Sequence, residues 1–380
     1  MPTDHCSSPS DQTDLDTQKN HGGVWSRRGF VGGLAAFAVG QPLFGATPSP
    51  QSTGPRRIDV HHHFLPKSYV DFMGKHGLAI GFGKWSVQSD LDDMDASGTA
   101  TAILSITDPG FGVGHIDDVR SAVREANEAA AQLRMRYAGR FGSFAALPLT
   151  DTEGALREME YALDTLKADG VCLFSSYGNR WLGHRSFAPV YDELNRRKAI
   201  VFVHPTFPAC CSRIRDQTSI PNEAATIEFG TDTTRAIADV IFSGTSTRYP
   251  DMVWIFSHGG GTMPFLIERF LTGASGEIAP GIVTKGQGYA PPKNVPRGVL
   301  SELRKMYYDT AQTSNPAAMR ALRTVVPVSQ ILFGTDVWYR TAAEAARNLS
   351  TCGVFGADEL RAIGRGNAER IMPRYRTRGV

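Results

Sequence analysis

From residue 57 onward the chain alternates short apolar runs with longer amphipathic stretches. Apolar runs occupy 58–61, 101–106, 141–147, 170–174, 200–204, 253–258, 306–309 and 330–334. Each is the length of a buried strand, and none carries the 3.6-residue spacing of a helix. Between them, helical spacing predicts helices over 115–137, 152–167, 187–197, 223–242, 263–271 and 316–325. Strands alternating with helices of this length predict βαβ units and a parallel sheet. Eight repeats point to a closed (β/α)8 TIM barrel, in which chemistry gathers at the C-terminal ends of the strands. A doubly wound open sheet is disfavoured, because no glycine-rich dinucleotide fingerprint follows an early strand.

The first 56 residues break this pattern. Ser26-Arg27-Arg28-Gly29-Phe30 precedes a weakly apolar, glycine-containing run from Val31 to Val39. Paired arginines before a run too short to span a bilayer resemble a twin-arginine export signal. The expected organisation is a signal over 1–45, a Pro/Ser/Thr-rich linker over 46–56 and the barrel over 57–380. Export through the twin-arginine machinery to the periplasm or beyond follows, and that route accepts folded, cofactor-loaded proteins.

Composition narrows the function. The chain has 380 residues, 41% of them hydrophobic, and a formal net charge of +2. That balance argues against a nucleic-acid binder, which would show a basic stripe or a much higher pI. No apolar run approaches the ~20 residues of a membrane span. The five cysteines, Cys6, Cys172, Cys210, Cys211 and Cys352, form no CxxC pair. A thiolate zinc site is therefore not expected. Adjacent Cys210 and Cys211 are expected to be free thiols, with a strained vicinal disulfide as the alternative.

The polar residues that close the apolar runs carry the chemistry. The first run leads into Asp59-Val60-His61-His62-His63, where alternation along a strand points His61 and His63 one way and His62 the other. His204 closes the fifth run, His258 the sixth, and the eighth leads through Gly334-Thr335 to Asp336. One histidine closing an apolar strand is an ordinary structural residue. Four such strand ends supply the imidazoles and carboxylate of a metal site that suits a borderline cation such as Zn2+. His62 is assigned to structure, and His5, His21, His76, His115 and His184 to loops or surface.

In order and spacing, Asp-x-His-x-His, His-Pro, His-Gly-Gly-Gly and Gly-Thr-Asp resemble the amidohydrolase superfamily. Within it they resemble the decarboxylase branch that includes aminocarboxymuconate-semialdehyde and 6-methylsalicylate decarboxylases. The resemblance runs from Ile58 to Gly366-Asn367-Ala368-Glu369-Arg370. It implies that His61, His63, His204 and Asp336 ligate one metal and that His258 handles protons, with Asp336 as a second candidate. It also implies that Arg269 holds a substrate carboxylate from a neighbouring subunit, hence a homodimer. The fourth strand lacks the lysine of binuclear relatives, so one ion is expected. His-x-His in place of Glu-x-His favours Zn2+ over Mn2+. Trp338, with Trp181, Tyr339 and Phe207, is expected to wall a flat substrate, although Val337-Trp338-Tyr339 departs from the aromatic and proline common in relatives. The implied reaction is nonoxidative decarboxylation of a small aromatic or enoate carboxylic acid. Hydrolysis of a lactone, an amide or a C–C bond by the same site is the alternative, and a noncatalytic barrel is a third reading.

Overall fold

The computed structural model describes residues 56–78, 85–211, 218–273 and 292–376. The expected signal and linker, Arg56 apart, lie outside the described residues. Eight parallel strands follow one another around a barrel: β1 Arg57–His63, β2 Thr99–Ser105, β3 Phe141–Ala146, β4 Gly170–Phe174, β5 Ile200–His204, β6 Val253–Phe256, β7 Tyr307–Asp309 and β8 Ile331–Leu332. The seam between β8 and β1 closes through Val60 N–H to the Phe333 carbonyl at 3.0 Å and Asp336 N–H to the His61 carbonyl at 2.8 Å.

Alternation along the strands divides the core. On β5, Val201 and Val203 join the large outer cluster beneath the helices. Phe202 belongs instead to a cluster with Ile103, Phe144, Cys172, Ile255 and Leu332 inside the barrel. Phe202 stacks on Phe144 at 5.5 Å and meets the His61 ring edge-on at 5.0 Å. The apolar floor of the barrel is therefore also the support of its first histidine, and emptying it costs about 3–5 kcal/mol for a Phe-to-Ala change.

Helix starts are set by local chemistry. Asp151 caps Thr152–Glu160 by accepting from Gly154 N, and Asn315, followed by Pro316, caps Pro316–Val325 through Ala318 N. Each such cap contributes ~1 kcal/mol. The expected helix over 263–271 does not form as a regular helix. It runs as successive tight turns into a wider turn at Arg269–Gly273. Pro264 and the preceding glycines explain this, because Gly259, Gly260 and Gly261 all have positive φ. A Cβ on Gly261 would fall 2.0 Å from the Gly230 carbonyl oxygen, so only glycine fits there.

Candidate metal centre

The top of the barrel collects four donors from two strand ends and one closing loop. His61, His63, His204 and Asp336 are all buried, and their ligand atoms lie within 4.8 Å of one another. His63 Nε2 is 3.1 Å from both His61 Nε2 and His204 Nε2. Asp336 Oδ1 is 3.0 Å from His63 Nε2 and 3.3 Å from His61 Nε2.

The other face of each ring explains why these nitrogens point inward. His61 Nδ1 meets Asp309 Oδ2 at 2.8 Å, His204 Nδ1 meets the Pro205 carbonyl at 2.7 Å, and His63 Nδ1 lies 3.3 Å from the Ser105 carbonyl. Acceptors at Nδ1 select the Nδ1–H tautomer, which leaves each Nε2 as a bare lone pair. Three lone pairs converging at this distance repel unless a cation lies among them. Asp336 Oδ1, buried beside them, accepts no hydrogen bond. This donor set fits one divalent ion.

Electrostatics agree. Burial works against charge on His61, but Asp309 and Asp336 outweigh it and raise its pKa to about 10. Burial depresses His63, and depresses His204 well below the ordinary imidazole value. Burial opposes the Asp336 carboxylate, yet the charge of His61 and the hydrogen bond from His258 hold it well below the usual range. Without an ion, His61 thus favours a second proton, at Nε2, which binding of an ion displaces.

His62 leaves the cluster, as alternation requires. Its Nδ1 meets Asp59 Oδ2 at 3.0 Å, and its Nε2 stands 3.2 Å from Asp90 Oδ2 in an ionic contact without hydrogen-bond alignment. Asp59 also accepts from Thr335 N at 3.1 Å and Thr335 Oγ1 at 2.6 Å. The leading aspartate of the first motif therefore ties the seam of the barrel. Gly334 is needed beside it, because a Cβ there would come within 3.0 Å of both Asp309 and His61 side-chain carbons.

His258 lies past the end of β6, not on it. It has φ 54°, and its backbone N–H is capped by Asp309 Oδ1 at 2.9 Å. From this turn its Nε2 approaches Asp336 Oδ2 at 3.1 Å, while its Nδ1 is buried without a partner. Gln312 donates to the same Oδ2. His258, Gln312 and Asp336 share left-handed φ values of 54°, 52° and 58°. Such backbone costs about 1–3 kcal/mol per non-glycine residue and gathers at functional sites.

Asp309 and Gln312 were missed by sequence reasoning. Asp309 closes an apolar run, as three of the histidines do, and that position was its signal. Gln312 carries no local signal.

Trp338 is half-buried with its ring 6.1 Å from that of His63. Trp181 instead donates its indole N–H to buried Asp232 at 2.7 Å and packs against the outer core. Phe207 lines a cavity of about 480 Å³ with Phe174 and Tyr177, and Phe174 meets the His204 ring at 6.1 Å. Arg269 is exposed on the turn after β6. Cys210 and Cys211 are free thiols, their sulfurs 3.5 Å apart.

Comparison with known proteins agrees with this geometry. The chain is 36% identical over 287 residues to the 6-methylsalicylic acid decarboxylase of Penicillium expansum, covering 74% of this chain and 84% of that one. It is 37% identical over 337 residues to the decarboxylase yanB of Aspergillus niger, covering 84% and 88%. A dihydroxybenzoic acid decarboxylase from Polaromonas, solved with bound manganese and 2-nitroresorcinol, shares the fold with a TM-score of 0.70 at 21% identity, over 84% of this chain and 98% of that one. The amidohydrolase family model matches residues 58–374, and the chain belongs to that family.

Proposed function

We propose that this protein is a metal-dependent carboxy-lyase that removes CO2, without oxidation, from a small hydroxylated aromatic or enoate carboxylic acid. The observation that carries this reading is the convergence of His61, His63, His204 and Asp336, with His258 held against the outer oxygen of Asp336. The named activity of the Penicillium expansum relative supports the aromatic substrate class.

Bound there, a divalent ion supplies Lewis-acid polarisation of a phenolic or carbonyl oxygen. The chain's own residues do the rest. Loss of CO2 from a ring needs a proton at the carbon bearing the carboxylate. His258 is positioned to deliver it, sharing that proton with Asp336 Oδ2. Trp338, tilted beside His63, offers an apolar face to a ring. Arg269, exposed in the single chain, suits a carboxylate bound across a homodimer interface. Three imidazoles and one carboxylate favour zinc over manganese, although the Polaromonas protein carries manganese. The arginine pair at residues 27 and 28 supports export by the twin-arginine route.

The test pairs metal analysis by mass spectrometry with CO2 release from 6-methylsalicylate and a set of hydroxybenzoates. About one zinc per chain with CO2 release is expected. One metal without CO2, but with turnover of lactones or amides, moves the protein to the hydrolases. A chain that purifies without metal and binds none overturns the reading.

A further inference from the structure

Asp336 faces the donor cluster with one oxygen only. Oδ1 lies 3.0 and 3.3 Å from two imidazole nitrogens and accepts no hydrogen bond. Oδ2 is turned away, with His258 Nε2 at 3.1 Å and the Gln312 amide donating to it. A carboxylate oxygen offers two in-plane lone pairs, so these contacts fill Oδ2.

The contact with Gln312 is not a by-product of packing. Gln312 is exposed, and its side chain makes no other hydrogen bond among the described residues. Its backbone nevertheless adopts a left-handed φ of 52°, as do His258 and Asp336. Three non-glycine residues, beyond the ends of β6, β7 and β8, hold an unfavoured conformation and meet at a single oxygen atom.

We propose that Gln312 is a positioning residue for the metal centre: its amide, with His258, holds Asp336 Oδ2 off the ion and keeps Asp336 a one-oxygen ligand. This rests on the metal-site reading above. Released from that hold, the carboxylate rotates about its Cβ–Cγ bond and brings both oxygens to the cluster. The second oxygen then fills the open position that a catalytic site keeps for substrate. Because the two donors come from different strand ends, losing Gln312 leaves only one of them to oppose that rotation.

Cobalt-loaded protein reports coordination number through its visible absorption, which weakens as ligands are added. It needs no substrate, so failure of the decarboxylase reading leaves this test intact. The variants are Gln312→Leu, which removes the donor, and Gln312→Asn, which tolerates left-handed backbone better but is one methylene too short to reach. Circular dichroism checks that both fold. Both are expected to lose visible intensity, and to lose the spectral shift that azide causes by taking the open position in the parent. If Gln312→Leu keeps the parent's spectrum and azide response, the proposal is overturned. It is equally overturned if Gln312→Leu changes but Gln312→Asn does not, because backbone conformation would then set the geometry.

Discussion

The substitution Asp309→Asn isolates the tautomer argument. Asp309 and His61 are fully buried, and Oδ2 lies 2.8 Å from His61 Nδ1. The other oxygen, Oδ1, accepts from the backbone N–H groups of His258 and Ala311, both at 2.9 Å. Asparagine has the same shape and one acceptor. Its oxygen must stay with the two backbone donors, which places its NH2 against His61 Nδ1. An N–H opposite Nδ1 forces the proton of neutral His61 onto Nε2, the atom that faces the donor cluster. Loss of a partner behind a metal-bound histidine typically lowers metal affinity 10–100-fold, about 1.4–2.7 kcal/mol. The inverted tautomer puts this substitution at the upper end. Competition with a chromophoric chelator for Zn2+ or Co2+ measures the affinity, and thermal denaturation of the metal-free forms checks the fold. Asp90→Asn, which alters the ring facing away from the cluster, serves as control. Metal binding by Asp309→Asn within about twofold of the parent would refute the claim that Nδ1 partners aim these rings.

His258→Ala should keep its metal while activity falls about 10²–10⁴-fold, as for loss of a general acid–base group; His204→Ala should lose both, and metal content beside turnover separates them. Arg269→Ala should cut activity with metal content unchanged, and equal kcat/KM in parent and variant would remove Arg269 from the substrate site. His62→Gln leaves buried Asp59 and Asp90 without their cation, so about 3–5 kcal/mol of stability should be lost at neutral pH. Burial opposes charge on His62, but Asp90 and Asp59 raise its pKa from 6.5 to about 10. A raised value means that its stabilisation is complete below pH ~6.5 and disappears as pH rises through about 10. Denaturant unfolding of metal-free parent and His62→Gln should therefore show a gap that narrows toward pH 10, and a constant gap would contradict the charged assignment.

The barrel was legible because it follows from period, and the strand ends it marks include the donors, whereas the choice of His61, His63, His204 and Asp336 as ligands came from the family resemblance. Strand-length apolar runs repeat eight times, and side-chain alternation separates His61 and His63 from His62 without any coordinates. What stayed hidden depends on backbone that has no period. His258 belongs to a turn with left-handed backbone rather than a strand, so alternation says nothing of where it points. Gln312 reaches Asp336 from a similar turn, across 24 residues of sequence. Asp309 ends β7 among tyrosines, and only its place at a strand end marks it. The stretch over 263–271 has helical spacing, but the glycines before Pro264 and the close approach to Gly230 override it.

The seam of the barrel has a consequence for biosynthesis. Asp59 and Thr335, which bond across it, are 276 residues apart in sequence. His61 and His63 leave the ribosome early, whereas Asp336 emerges only near the end of translation. A nascent or truncated chain has three imidazoles and no carboxylate to complete the set. The full donor set therefore exists only once the last strand docks, and closure of the barrel and completion of the site are one event.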